Sequence, residues 1–312
     1  LLSFILRRFV SMIVTLWLII TLTFFLMHAA PGNPFEKEGK GLPDAVAANL
    51  NAFYNLDKPL IVQYGLYLQN LVKFDLGPSI ANSSDTVNKI IARGFPVSFQ
   101  LGLVAILFAI VTGIALGVVA ALRHNRLIDY VAMVIAVIGI SVPSFVLASL
   151  LIKYLAVEWK LFPTATWGTW QHVVLPALAL AFSPIAIIAR LTRTNMLEVL
   201  TAEYIETARA KGLSPATIVF KHALRNAILP VVTLLGALIA NILTGSFVIE
   251  KIFAIPGMGK YFVAGINNRD YSVIMGTTVF YSTLLIFMMF IVDVLYSIID
   301  PRIKFHGKER EG

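Results

Sequence analysis

The chain has 312 residues, 58% of them hydrophobic and 13% charged, with a net charge of +8 and no cysteine. Soluble domains are about half apolar and about a quarter charged, so composition excludes a soluble protein and indicates a membrane protein. The missing cysteines exclude disulfides, thiolate metal sites and cysteine nucleophiles, and the basic balance suits loops anchored beside a membrane better than a nucleic-acid partner.

Six apolar runs, at 9–30, 97–122, 130–155, 173–189, 228–249 and 273–299, can cross roughly 30 Å of hydrocarbon at about 1.5 Å per helical residue. The first follows Arg7 and Arg8 and ends at His28-Ala29-Ala30, the outline of a signal peptide, but its 22 residues exceed an apolar signal core. It is expected to be a retained first span. With both termini inside, 14 Lys and Arg face the cytoplasm and 11 face out, six of the latter in the long 31–96 segment, where the charge rule weakens. Cytoplasmic termini are therefore expected.

Segment 31–96 turns at Tyr54-Asn55-Leu56-Asp57-Lys58-Pro59, after which Leu60, Ile61, Tyr64, Tyr67, Leu68 and Leu71 form a helical stripe. Asp75-Leu76-Gly77-Pro78-Ser79 closes that helix. With six basic and six acidic side chains, the segment sets up no field for an ionic substrate and reads as a small helical cap on the outer face.

In the second run, Ala105, Ala109, Gly113, Gly117 and Ala121 recur every four residues. Such a stripe admits a close helix neighbour, from this chain or from a partner subunit. Pro143 in the third run, Pro176 and Pro184 in the fourth, and Pro230 opening the fifth are expected to bend or start helices.

The fourth run continues as helix through Arg190 to Leu200 and leads into a polar island at 203–230. Thr201 is expected to cap a short helix from Ala202 to Ala210, with Glu203 and Glu206 early and Arg209 and Lys211 late, as the helix dipole favours. Tyr204, Ile205 and Ala208 give it an apolar face, and Gly212, followed by Leu213, suits the left-handed stop. Ser214-Pro215 then opens a second helix over 215–227. So short a helix is marginal in water, so a membrane surface or a protein groove must hold it. Two acids, two bases and alanines suit a groove better than headgroups.

Pro256-Gly257-Met258-Gly259-Lys260-Tyr261 lacks the first glycine and the Ser or Thr of a phosphate loop and reads as a turn. Asp293 is read as the one acid well inside a run, close enough to its end for a structural polar contact. Asn241, Thr244 and Ser246 face either a pathway or a neighbouring helix. The histidines (His28, His124, His172, His222, His306) include no pair at metal-binding helical spacing, and no nucleophile–base pair can be placed in the runs.

These residues resemble the cytoplasmic-loop signature of ABC-importer permeases: E-A-A, three residues, G, nine residues, I-x-L-P. Glu206, Ala208, Gly212 and Leu224 match it, while Thr207, His222 and Arg225 depart, and proline comes later, at Pro230. The departures look like the peptide-transport branch, where Ala208-Arg209-Ala210-Lys211-Gly212-Leu213-Ser214 and His222-Ala223-Leu224-Arg225-Asn226-Ala227 fit. Further matches are His28-Ala29-Ala30-Pro31-Gly32, Leu56-Asp57-Lys58-Pro59, Gly139-Ile140-Ser141-Val142-Pro143-Ser144-Phe145 and Ala189-Arg190-Leu191-Thr192-Arg193. Ile255-Pro256-Gly257-Met258-Gly259, Asn268-Arg269-Asp270-Tyr271 and Asp300-Pro301-Arg302 complete them, so the likeness covers nearly the whole chain. It is closest to the first permease subunit of oligopeptide transporters.

The resemblance implies an all-α membrane protein with six transmembrane helices, a type I ABC-importer permease fold and a small extracytoplasmic helical insertion. Its parts would be a cytoplasmic N-terminus and first span (1–30), the insertion (31–96), a permease core (97–299) with a cytoplasmic coupling loop (191–227), and a cytoplasmic tail (300–312). Such a chain is half of a translocation pathway in a bacterial or archaeal cell membrane and works with a second homologous permease. Two ATPase subunits bind the ATP and magnesium, an extracytoplasmic binding protein delivers the peptide, and the permease itself has no enzymatic activity and binds no cofactor, metal or nucleic acid. ATPase coupling would fall to Ala202, Glu203, Tyr204, Glu206, Ala208, Arg209, Lys211, Gly212 and Leu213. Pro256, Gly257, Gly259, Arg269 and Asp270 are expected at the outer gate or the binding-protein contact, and Asn241, Thr244 and Ser246 along the pathway. The alternatives are a dipeptide, glutathione or nickel importer, or a gradient-driven secondary carrier.

Overall fold

A computed structural model describes residues 2–29, 43–82 and 84–299. The Pro31-Gly32 and Asp300-Pro301-Arg302 motifs and the tail lie outside the described residues, as does the Thr244 side chain. Helices dominate what is described: α1 (Leu2–Ala29), α2 (Asp44–Phe53), α3 (Leu60–Val72), α4 (Val87–Leu122), α5 (Leu127–Ser141), α6 (Ser144–Leu151) and α7 (Trp170–Leu200) come first. Then come α8 (Glu203–Ala210), α9 (Pro215–Thr217), α10 (Leu224–Ala227), α11 (Leu229–Ile252), α12 (Met258–Asn267) and α13 (Tyr271–Ile299). Among the described residues four helices are long and apolar enough to cross a membrane, and the count reaches six if each of two bent pairs is one span.

The third expected span is broken rather than bent: Leu127–Ser141 and Ser144–Glu158 meet at 107°. Proline at 143 explains this. It has no N–H for the helical ladder, sits extended at φ −58° and ψ 138°, and forces Val142 before it out of the helical region, to ψ 120°. Pro176 and Pro184, by contrast, lie inside a continuous α7. The second span also departs from its expected start, since α4 begins at Val87 and runs through Pro96. Two helices were not expected at all, α2 and α12; Gly257 is extended and stands at the N-cap of α12 where only a turn was read.

The chain divides into two compact units. The first holds residues 98–255 and 288 onward, with α7 at its centre against α5, α6 and α11. Fourteen residues of α7 are buried, among them Leu175, Ala179, Ile188, Thr192 and Met196. The small-residue stripe of α4 is buried here too, and its neighbour is this chain. A Cβ on Gly117 would stand 2.6 Å from both the Ala189 carbonyl oxygen and the Thr192 Cβ, and one on Gly113 2.8 Å from Ile188. Two helices this close leave no room for a methyl group. Gly117→Val is therefore expected to destabilise the chain by about 1–3 kcal/mol or more, as overpacking does, whereas Gly65→Ala, with nothing within 4 Å, should be neutral or slightly stabilising. Thermal unfolding of the two variants in detergent checks this.

The second unit holds residues 2–97 and 256–287. Its core is aromatic: Phe24, 2% exposed, stacks on His28 at 4.1 Å between ring centres and packs against Tyr64 and Tyr67 of α3. The stripe read in the sequence thus covers the end of α1, and Thr21 Oγ1 and the Tyr64 hydroxyl lie 2.7 Å apart. Burial pushes the Tyr67 phenol up.

Candidate functional site

The candidate site is α8 and the seat beneath it. Thr201 does not cap this helix, because its hydroxyl donates to the Glu198 carbonyl at 2.8 Å in the turn that ends α7. Ala202, extended at ψ 147°, takes the cap position instead. Ile205 is fully buried and Ala208 is 6% exposed. They pack with Val118 and Ala121 of α4, Met196 of α7, and Ile218, Val219 and Ala223. Burying one isoleucine contributes about 1.5–3 kcal/mol, which an eight-residue helix needs to persist.

The stop is a Schellman turn. Gly212 sits at φ +74°, its N–H donates to the Arg209 carbonyl at 2.9 Å, and the Leu213 N–H donates to the Ala208 carbonyl at 3.2 Å. Ser214 then caps the next helix, its Oγ accepting from the Thr217 N–H at 3.3 Å, with Pro215 in the first turn. A helix was expected over 215–227, and it is not α throughout. Ile218–Ala223 is instead π-helical, and the wider turn buries Ile218, Val219 and Ala223 while leaving Phe220 66% exposed. The Asn226 amide donates to the Tyr204 hydroxyl at 2.9 Å, tying this helix to α8.

The residues expected to couple separate into two sets. Glu203, Tyr204, Glu206, Arg209, Lys211, Gly212 and Leu213 are exposed, whereas Ala208 is buried in the seat and Ala202 is half-buried. Tyr204 belongs to the open face rather than the apolar one. The exposure of Phe220 was not foreseen, since an apolar residue inside an α-helix gives no sign that a π turn will expose it.

A second feature invisible in the sequence holds the seat. Asp129, 1% exposed, accepts from Arg193 Nε at 2.5 Å and Arg193 Nη2 at 2.7 Å, and also from the Asn125 N–H at 3.1 Å. His124 Nδ1 lies 3.3 Å from the same carboxylate. This two-toothed clamp fastens the turn between α4 and α5 to α7, about two turns before α7 ends.

The loop residues expected at an outer gate or binding-protein contact also divide. Pro256 and Arg269 are exposed, Arg269 at φ +53°, but Gly257 and Gly259 are buried. Asp270 is turned inward, 1% exposed. Its carboxylate accepts from Ser79 Oγ at 2.5 Å and from the N–H groups of Ala81 and Val273 at 3.0 and 3.1 Å, so it caps α13 and binds the 79–81 strap. Burial first and the Asp270 charge second raise the pKa of Tyr54, whose hydroxyl donates to the Ser79 carbonyl.

Asn241 and Ser246 do not share a surface: Ser246 is fully buried, while Asn241 is exposed and lines a cavity beside the α5–α6 break. Asp293 is half-buried. Glu250 is a fully buried acid that sequence reading missed, because it falls just past the fifth apolar run.

Comparison with known proteins identifies the family. The family described as "Binding-protein-dependent transport system inner membrane component" matches residues 113–305, and its N-terminal companion, "Binding-prot-dependent transport system membrane comp, N-term", matches residues 1–102. The dipeptide transport system permease protein DppB of Bacillus subtilis (strain 168) is 61% identical over 98% of this chain and 99% of its own. The oligopeptide transport system permease protein OppB is 46% identical in Haemophilus influenzae and 44% in Escherichia coli (strain K12), each over 97% of this chain and 100% of its own. Among solved structures, a chain of the MetNI methionine ABC transporter in an inward-facing conformation superposes with a TM-score of 0.56 at 20% identity, over 68% of this chain and 96% of that one, a likeness of fold.

Proposed function

Since this chain belongs to the binding-protein-dependent transport system inner membrane components, a multi-pass permease family with the type I ABC-importer fold, we propose that it is the transmembrane permease subunit of an ATP-driven oligopeptide importer. It forms half of a translocation pathway with a second homologous permease in a bacterial or archaeal cell membrane. Both termini are cytoplasmic, 31–96 is an extracytoplasmic insertion, and 97–299 is the permease core. ATP and magnesium bind to two separate ATPase subunits, and an extracytoplasmic binding protein delivers the peptide.

The observation that carries the mechanical part is the division of α8 into a buried seat and an open face. Ile205 and Ala208 fix the helix to α4 and α7. Glu203, Tyr204, Glu206, Arg209, Lys211 and Leu213 are left to a cleft in the ATPase. When two ATPases close around ATP, their clefts carry α8, and the seat passes that displacement to the spans. Near the outer face, Pro256 and Arg269 meet the binding protein, Gly257 and Gly259 shape the loop, and Asp270 holds it in place. Asn241, Thr244 and Ser246 belong to the part of α11 assigned to the pathway.

Affinity purification in mild detergent is expected to bring down two ATPase chains and a second permease, and uptake into liposomes should require ATP and all of them. Peptide uptake by the isolated chain would sink this reading in favour of a gradient-driven carrier.

A further inference from the structure

The cavity beside the α5–α6 break lies apart from α8 and its seat. It measures about 210 Å³, and Pro143 and Ser144 from the break, Leu180, Ser183 and Pro184 from α7, and Asn241 from α11 form much of its wall. Every lining side chain is uncharged.

Two backbone features make this wall polar. Pro184 has no N–H for the Leu180 carbonyl one turn earlier, so that carbonyl lacks its helical donor. At the break, the Val146 and Leu147 N–H groups both turn to the Pro143 carbonyl, at 3.0 and 3.2 Å. Ser144 and Phe145 are left as first-turn donors without a helical acceptor. Hydrocarbon does not tolerate such groups, and broken backbone at membrane depth belongs where it is buried in protein or lines a wet space. In carriers with interrupted helices those freed groups meet the solute.

We propose that this cavity binds the main chain of a peptide in transit, reading its N–H and C=O groups rather than its side chains; the proposal rests on the peptide-importer function above. Each peptide residue presents one donor and one acceptor. The lining residues answer with an acceptor at the Leu180 carbonyl, a donor at the Ser144 N–H, and two groups that serve as both, the Ser144 and Ser183 hydroxyls. A wall without charge neither selects nor repels Lys, Asp or Glu side chains, as a carrier of varied peptides requires. A space of 210 Å³ equals about seven waters, enough for one or two residues at roughly 3.3 Å each and too little to trap a whole cargo.

The chain has no cysteine, so Ser183→Cys places a single thiol in it, at the cavity wall. The complete transporter, reconstituted in liposomes, is supplied with tripeptides at concentrations that saturate the binding protein. Uptake and reaction of the thiol with a small methanethiosulfonate, read from the mass of this chain, are followed together. Trialanine, trilysine and triglutamate are each expected to slow modification at least fivefold during turnover, and N-methylated trialanine is not. Uptake with a thiol rate indifferent to cargo would overturn the cavity assignment and leave the importer function standing. A thiol that never reacts, as under a lipid plug, would do the same. No peptide uptake by the native chain would overturn both. If Ser183→Cys is inactive, Asn241→Cys reads the cavity from α11 with the same outcomes.

Discussion

Gly212→Pro is expected to cut ATP-driven peptide uptake at least tenfold while the chain still inserts and still associates with its second permease. The residue stands at φ +74°, and proline is locked near −65°. The substitution also deletes the N–H that donates to the Arg209 carbonyl, so the Schellman turn loses both its conformation and a hydrogen bond. Leu213 and the last turn of α8 would then point elsewhere, although Ile205 keeps the helix on its seat. ATP hydrolysis by the assembled complex should continue without matching uptake. Gly212→Ala gives the graded control, because a left-handed alanine costs about 1 kcal/mol and leaves the donor in place. Undiminished uptake by Gly212→Pro would remove α8 from the drive train. Equal loss of insertion and uptake would make the turn a folding element instead.

The second large effect is expected at the clamp. Arg193→Ala strands the Asp129 carboxylate, 1% exposed, without its two guanidinium bonds. Breaking a buried pair from one side typically destabilises by about 3–5 kcal/mol, while removing both charges is far milder. Thermal unfolding of the purified complex should therefore rank Arg193→Ala well below the Arg193→Ala, Asp129→Ala double variant. Uptake should follow the same order, since a loosened 123–129 turn no longer braces α7 ahead of α8. A double variant no better than the single one would mean that the pair is weakly coupled. Arg193→Lys tests geometry separately: it keeps the charge but cannot form the two-toothed contact.

Apolar runs and loop chemistry made the broad plan legible from residues alone. The positions of α3, α7, α8 and α11 follow from periodicity, Pro and Gly, and Gly212 announced its left-handed turn because few other residues tolerate one. What stayed hidden depends on contacts distant in sequence. Nothing near Asp129 indicates a partner at Arg193, 64 residues on. Nothing near Asp270 indicates a partner at Ser79, 191 residues away. The stripe on α4 promised a close neighbour without saying whose, and only the contacts of Gly113 and Gly117 identify α7. Proline was read as an interruption, which holds at Pro143, where it breaks the rod, whereas α7 continues through Pro176 and Pro184.

The missing side chains at Gly113 and Gly117 also constrain how the subunit can move. With backbone against side chain at such short range, α4 and α7 have no free ridge over which to slide, so the two travel as a single girder. A push on one end of that girder has to be absorbed at a joint, and the right-angled elbow at Pro143 is well placed to flex.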